Sequence, residues 1–198
     1  MDIDTDFDLY LENDCRHIFK LANIFETDKI RMFSFFNAYG KDQRVFKYLK
    51  KMVTLAKEYG LTLYHENEKE IYGDTKSRVL KLKENVPGLK FIYDPANFIQ
   101  VGERKEDTLP LLEICDYVHV KDALFEGGEI VPAGYGDADF SEIIKRVRER
   151  DITLTLEPHL ALFAGYASID ASELRGKFNY KTNDEAFDAA VAALKSIM

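Results

Sequence analysis

Residues 61–68 read LTLYHENE. The stretch opens as an apolar, aromatic-rich run of strand length and then sets His65, Glu66, Asn67 and Glu68 side by side. Four other runs share this form: KIRMFSFF (29–36), PGLKFIYD (87–94), DYVHVKD (116–122) and DITLTLEP (151–158). Each reads as a short apolar strand, and none shows clear in-out alternation. That is the pattern of parallel strands covered on both faces.

The segments between these runs have helical spacing. In DFDLYLENDCRHIFKLANIF, the residues Phe7, Leu11, Cys15, Ile18, Ala22 and Phe25 form one stripe. Val45, Leu49, Met52, Val53 and Ala56 form a second, ending at Gly60. Shorter helices are expected near 75–85 and 105–114, and FSEIIKRVRER turns Phe140, Ile143, Ile144 and Val147 inward. Residues 159–182 read as irregular. Asn183 reads as the N-cap of a closing helix that buries Ala186, Phe187, Ala190, Val191 and Leu194. Strands alternating with helices imply right-handed βαβ units and a parallel sheet of about five strands, an α/β fold. No linker or composition shift divides the 198 residues, so a single domain over 1–198 is expected.

The composition narrows the function classes. A net charge of −8 disfavours nucleic acid as the partner, because phosphate binding needs clustered Lys and Arg. The basic runs KYLKK (47–51) and KRVRER (145–150) lie on predicted helix faces and read as solvated surface. No stretch approaches the roughly 18 apolar residues of a membrane span, and the acidic N-terminus does not resemble a signal peptide. Cys15 and Cys115 have no paired spacing, which suits buried thiols in the cytoplasm.

In a parallel α/β sheet the C-terminal strand ends converge on the rim where ligands bind. The polar residues at those ends are Arg31 and Ser34, His65 and Glu66, Asp94 and Asn97, His119, Lys121 and Asp122, then Glu157 and His159. Three of the four histidines are among them; His17 lies on a helix. Glu66, Asp94, His119 and Glu157 come from four successive strands, each about one βα unit apart. Three carboxylates and an imidazole suit Mn²⁺, Mg²⁺, Co²⁺ or Zn²⁺, and a divalent ion relieves the repulsion among them. Asp122 is expected to cap the following loop, and Glu68, Glu70 and Asp74 to lie in a solvated one. In PAGYGDADF, Gly134 and Gly136 suggest either a turn with positive φ or a phosphate cradle.

Taken in order, IRMFSFF, LYHENE, FIYDPANF, YVHVKD and TLEPHL resemble the xylose isomerase-like TIM-barrel superfamily, in its sugar phosphate isomerase/epimerase branch. The resemblance implies a (β/α)₈ fold and one divalent metal on Glu66, Asp94, His119 and Glu157. It also makes Glu66 and Glu157 the acid/base pair of an epimerase that works through a metal-stabilised enediolate. His65, Arg31, Asn97, Lys121 and His159 would then contact a small carbohydrate or sugar phosphate. Many relatives carry histidine where this chain has Asn97. An inosose-dehydratase-like lyase is the alternative chemistry on the same scaffold, and a DNA-repair endonuclease is disfavoured by the acidic balance.

A full barrel of this type takes about 250 residues. The opening MDIDTDFDLYL resembles the turn and helix after the family's third strand, so three βα units are expected to be missing. Such a truncated barrel should expose its edge strands and inward face, favouring a homo-oligomer that covers them, or a remnant without turnover.

Overall fold

The structure is a computed structural model that describes residues 1–161 and 178–198. Its strands and helices alternate as in a (β/α)₈ barrel, present here in part. The sheet has five parallel strands in the order β1 (Lys29–Met32), β2 (Thr62–Glu66), β3 (Lys90–Tyr93), β4 (Tyr117–Val120) and β7 (Thr153–Leu156), and a separate two-stranded ribbon pairs β5 (Asp122–Ala123) with β6 (Ile130–Val131). The chain divides into two compact units, Met1–Ile92 and Tyr93–Met198.

The first unit opens with α1 (Phe7–Tyr10), a π-helical turn (Leu11–Cys15) and α2 (Arg16–Ile24). The π turn changes which face is buried. One extra residue in the turn rotates everything after it by about 100° relative to an unbroken α-helix. Phe7, Cys15, Phe19 and Ala22 are buried as a result, while the expected core residues Ile18 and Phe25 are 44% and 77% exposed. Phe7 stacks on Tyr48 with centroids 3.9 Å apart and meets Phe35 edge-on.

β1 (Lys29–Met32) and β2 (Thr62–Glu66) pair in parallel, with Met32 opposite His65. Between them, α3 (Asp42–Glu58) buries Val45, Phe46, Leu49, Met52, Val53, Leu55 and Ala56. Each of the larger of these side chains contributes about 1.5–3 kcal/mol on burial. α4 (Lys76–Asn85) follows β2 and leads through a turn at Gly88 into β3 (Lys90–Tyr93). β1 ends earlier than expected, at Met32. Beyond it Phe35 and Phe36 are held by backbone bonds, Phe36 N–H to the Met1 carbonyl at 2.9 Å and Tyr72 N–H to the Phe35 carbonyl at 3.1 Å.

The second unit contains α5 (Pro95–Gln100), α6 (Lys105–Thr108), a 3₁₀ segment (Leu109–Ile114) and β4 (Tyr117–Val120). After these come β5 (Asp122–Ala123), β6 (Ile130–Val131), α7 (Phe140–Val147), β7 (Thr153–Leu156) and α8 (Asn183–Ile197). α7 buries the four residues expected of it. α8 buries only the small residues Ala186, Ala190 and Ala193, and Phe187 is 53% exposed. Its N-cap is Thr182 rather than Asn183, since Thr182 Oγ1 accepts the Glu185 N–H at 3.2 Å. Most of the irregular stretch 159–182 lies outside the described residues.

β3 and β4 are buried almost continuously, as their sequences suggest, whereas β1 and β2 alternate in part. On β2, Leu63 and His65 are buried while Thr62 and Tyr64 are half-buried, and on β1 Lys29 and Arg31 are exposed. On β7 Thr153 is exposed, and Tyr117 and Thr155 of the β4–β7 pair are half-buried. The half-buried positions on these strands include the apolar Ile30, Leu154 and Leu156 as well as Tyr64, Tyr117 and Thr155. No helix among the described residues is long and apolar enough to cross a membrane.

The π turn sets up a direct comparison of neighbouring residues. Phe19→Ala should destabilise the protein by about 3–4 kcal/mol, and Ile18→Ala by less than about 0.5 kcal/mol. Urea unfolding of both variants measures this; equal losses would mean that the register after Cys15 is wrong.

Candidate metal centre

In the second unit, Asp94 follows β3 and caps α5. Its Oδ1 accepts the Asn97 N–H at 3.0 Å, and Pro95 occupies the first helical position, where no N–H is needed. This leaves Oδ2 for other partners. Lys121 Nζ lies 2.9 Å from that oxygen and 3.6 Å from Glu157 Oε2. His119 Nδ1 is 3.7 Å from Asp94 Oδ2 and 3.3 Å from Glu157 Oε2.

Strand geometry explains the grouping. His119 and Lys121 are two residues apart, so they share a face, and the β4–β7 register sets His119 opposite Thr155, two residues before Glu157. Asp94, His119 and Lys121 are buried, with Glu157 more open. Burial alone would push the Asp94 carboxyl up. The Lys121 cation and the His119 hydrogen bond outweigh it and hold the group below the ordinary aspartate range.

In the first unit Glu66 is fully buried at the end of β2, and Arg31 on β1 reaches its Oε2 with Nε at 2.5 Å. Arg31 also lies over the Phe33 ring, 4.9 Å from its centroid. His65 was expected to contact substrate, and its placement argues against that. As the neighbour of Glu66 on the strand it points to the opposite face. It is fully buried, 6.3 Å from the Phe91 ring, and a Cβ on Gly73 would fall 2.5 Å from its Cε1. Burial pushes His65 down to about 4, so it is a neutral core histidine.

Glu66, Asp94, His119 and Glu157 each offer one ligand atom, and these atoms all lie within 4.8 Å of one another. Two unit charges about 4 Å apart repel by about 4 kcal/mol at an effective dielectric near 20. Three carboxylates at such range need positive charge nearby. Arg31 and Lys121 supply part of it, and the oxygen and imidazole donors, with no thiolate, form a set that could hold a hard or borderline divalent ion.

The remaining candidates are placed as follows. Asn97 is buried on the first turn of α5. His159 is exposed just after β7, with φ at +45°. Asp122 is fully buried and accepts four backbone N–H groups, from Ala123, Ala138, Gly134 and Gly136. Burial lifts its carboxyl to about 6 against the pull of those donors, so it is ionised at neutral pH. Gly134 has the expected positive φ of +87°, whereas Gly136 does not. Gly136 is required instead by close approach: a Cβ there would lie 2.2 Å from Asp122 Oδ1.

Asp74 is not in a solvated loop. It is buried, accepts from the Tyr39 hydroxyl at 2.7 Å and pairs with Arg78 at 2.6 Å, and Arg78 lies 4.1 Å from the Tyr39 ring centroid. The i, i+4 spacing of Asp74 and Arg78 was the available sequence signal for this clamp.

Parallel strands alternating with helices are those of an α/β barrel in part, and the carboxylate-imidazole cluster at the strand ends could hold a metal ion. Residues 13–195 match the model of the xylose isomerase-like TIM barrel, and the chain belongs to that family. Among solved structures, it resembles the probable 3-DHS dehydratase AsbF of Bacillus anthracis, with 20% identity and a TM-score of 0.70, over 100% of this chain and 72% of that one. It also resembles the D-psicose 3-epimerase of Clostridium cellulolyticum H10, solved with D-tagatose, at 13% identity and a TM-score of 0.71, over 98% of this chain and 71% of that one. A third is a xylose isomerase-like TIM-barrel protein from Mycobacterium smegmatis in complex with magnesium, at 12% identity and a TM-score of 0.66, over 98% and 69% of the two chains. Among curated proteins none matches the chain. At these identities the structural likeness concerns the fold.

The buried neutral His65 has a consequence for stability. An unfolded histidine titrates near 6.5, and burial depresses the folded group to about 4. Between those values the unfolded chain binds the extra proton, so stability should fall as pH is lowered from about 6.5 to 4, by about 3 kcal/mol in all. Denaturant unfolding across this range, compared with His65→Gln, measures it. An unchanged slope in the variant would show that His65 does not titrate this way.

Proposed function

We propose that the chain is a divalent-metal-dependent isomerase or epimerase of a small carbohydrate. The observation that carries this reading is the set of Glu66, Asp94, His119 and Glu157 atoms within 4.8 Å of one another at the strand ends. A divalent ion held there would supply positive charge where negative charge develops on the substrate oxygens. Glu66 and Glu157 act as the proton-exchanging pair: one carboxylate takes the proton from the carbon beside the carbonyl, and the other returns one to the opposite face. Asp94 stays ionised because Lys121 and the α5 N–H hold its charge. Arg31 keeps the Glu66 carboxylate oriented. Lys121 and His159 are the proposed contacts for substrate hydroxyl or acidic groups, with Asn97 beside Asp94.

A lyase reading has its own support in the cations Arg31 and Lys121, each of which contacts a proposed ligand and suits an anionic substituent on the substrate. In that chemistry the same base removes the proton, and a β-hydroxyl leaves as water after protonation. The fold likeness to a probable dehydratase is consistent with it.

Metal content of the purified protein, together with Mn²⁺ and Mg²⁺ titration, tests the shared premise. About one ion per chain is expected, with affinity at least tenfold weaker in Glu66→Gln, Asp94→Asn and Glu157→Gln. Ketohexoses incubated with the metal-loaded protein in ²H₂O should then gain deuterium at the inverted carbon, whereas loss of water in the mass spectrum would select the lyase. Failure to take up any divalent ion would overturn both readings.

A further inference from the structure

The glycine-rich loop Pro132–Asp139 offers the one group of converging backbone N–H donors that the sequence marked as a possible phosphate cradle. The structure fills it from within. Asp122 immediately follows Lys121 and is fully buried. Its Oδ2 accepts the N–H groups of Gly134 and Gly136, each at 3.0 Å, and its Oδ1 those of Ala138 at 3.1 Å and Ala123 at 2.9 Å. Successive N–H groups turned to one point form an anion-binding concavity. Here the anion is a side chain of the same protein.

Gly136 shows how tightly the carboxylate is enclosed. A Cβ at that position would lie 2.2 Å from Asp122 Oδ1 and 2.5 Å from the Ala123 carbonyl oxygen, so no other residue fits without displacing the loop. The second face of the loop is closed too: a Cβ on Gly134 would meet Ile197 of α8 at 3.2 Å. Asp137 completes the closure, its backbone N–H bonding the Ala123 carbonyl at 2.9 Å and its Oδ2 accepting the Phe125 N–H at 2.7 Å.

We propose that Asp122 is a positioning residue that occupies the anion cradle of the glycine-rich loop, so that the loop fixes the end of β4 at Lys121 and is closed to phosphate. The inference deepens the carbohydrate reading above and rests on it only for the word substrate: a sugar handled here is not held by a phosphate ester at this loop. The two oxygens of Asp122 have four protein donors, and a phosphate could reach those donors only by expelling a buried carboxylate. Specificity at this corner is thereby set against phosphorylated substrates by the protein's own charge.

The test needs neither metal nor turnover, so it stands or falls separately from the assignment of the reaction. Amide exchange and chemical shifts of Gly134, Gly136 and Ala138 are followed by NMR in the full chain and in Asp122→Ala, with and without inorganic phosphate. In the wild-type protein these amides should exchange slowly and show no saturable response to millimolar phosphate. In Asp122→Ala they should exchange roughly tenfold to a hundredfold faster, the loss of a hydrogen bond to a charged acceptor. Added phosphate should slow them again by entering the vacated cradle, a rescue that a merely structural side chain would not allow. A saturable phosphate response of these three amides in the wild-type protein would overturn the proposal. So would unchanged exchange, or exchange that phosphate does not rescue, in a folded Asp122→Ala. Should Asp122→Ala not fold, the wild-type titration alone decides.

Discussion

A carboxylate buried at the end of a strand is costly unless something nearby keeps it charged. Asp94 shows how this protein meets that condition, with one oxygen on the first turn of α5 and the other facing Lys121 and His119. The desolvation of an isolated ion would be several kcal/mol, enough to neutralise the group or to unfold its surroundings. A helix N-terminus and a buried lysine offset it together. Glu66 is treated similarly, with Arg31 against its Oε2. The strand ends thus hold concentrated negative charge without being dominated by it, which a divalent-cation site requires.

The same economy appears in the loops. Asp122 gathers four N–H groups, Asp74 takes the Tyr39 hydroxyl and the Arg78 guanidinium, and Asp139 caps α7 while pairing with Lys105 at 3.1 Å. The connections after β2, β3 and β4 each carry an aspartate whose short side chain bonds its own neighbourhood. Rigid connections matter for chemistry that depends on the spacing of two carboxylates, because a displacement of about 1 Å can cost about a hundredfold in rate.

Much of this was legible in the sequence, for identifiable reasons. The five strands were clear because each joins an apolar run to a cluster of polar residues, and Glu66, Asp94, His119 and Glu157 stand at corresponding strand ends. What escaped reading was local. The π turn at Leu11–Cys15 shifted burial from Ile18 to Phe19, a change of phase that periodicity cannot register from one helix. α5 was overlooked because it is only six residues long, although Asp94-Pro95 supplies its N-cap and first residue. His65 looked like a rim ligand because it adjoins Glu66, and the two-residue period of the strand turns it into the core. The ribbon of β5 and β6 was hidden because each strand is two residues long.

The division of labour within Asp94 also bears on how this site can change over generations. One oxygen caps α5 and the other meets Lys121, and both are reached from a single short stem. Glutamate would keep the charge but add a methylene, moving the second oxygen as soon as the first stayed on the helix. Asparagine would keep the cap and lose the charge. Position 94 therefore has no neighbour in mutational space that preserves both duties, whereas Asn97, Lys121 and His159 can each vary without dismantling a helix. Sequence change at this corner is accordingly expected to leave Asp94 fixed and to fall on the residues that surround it.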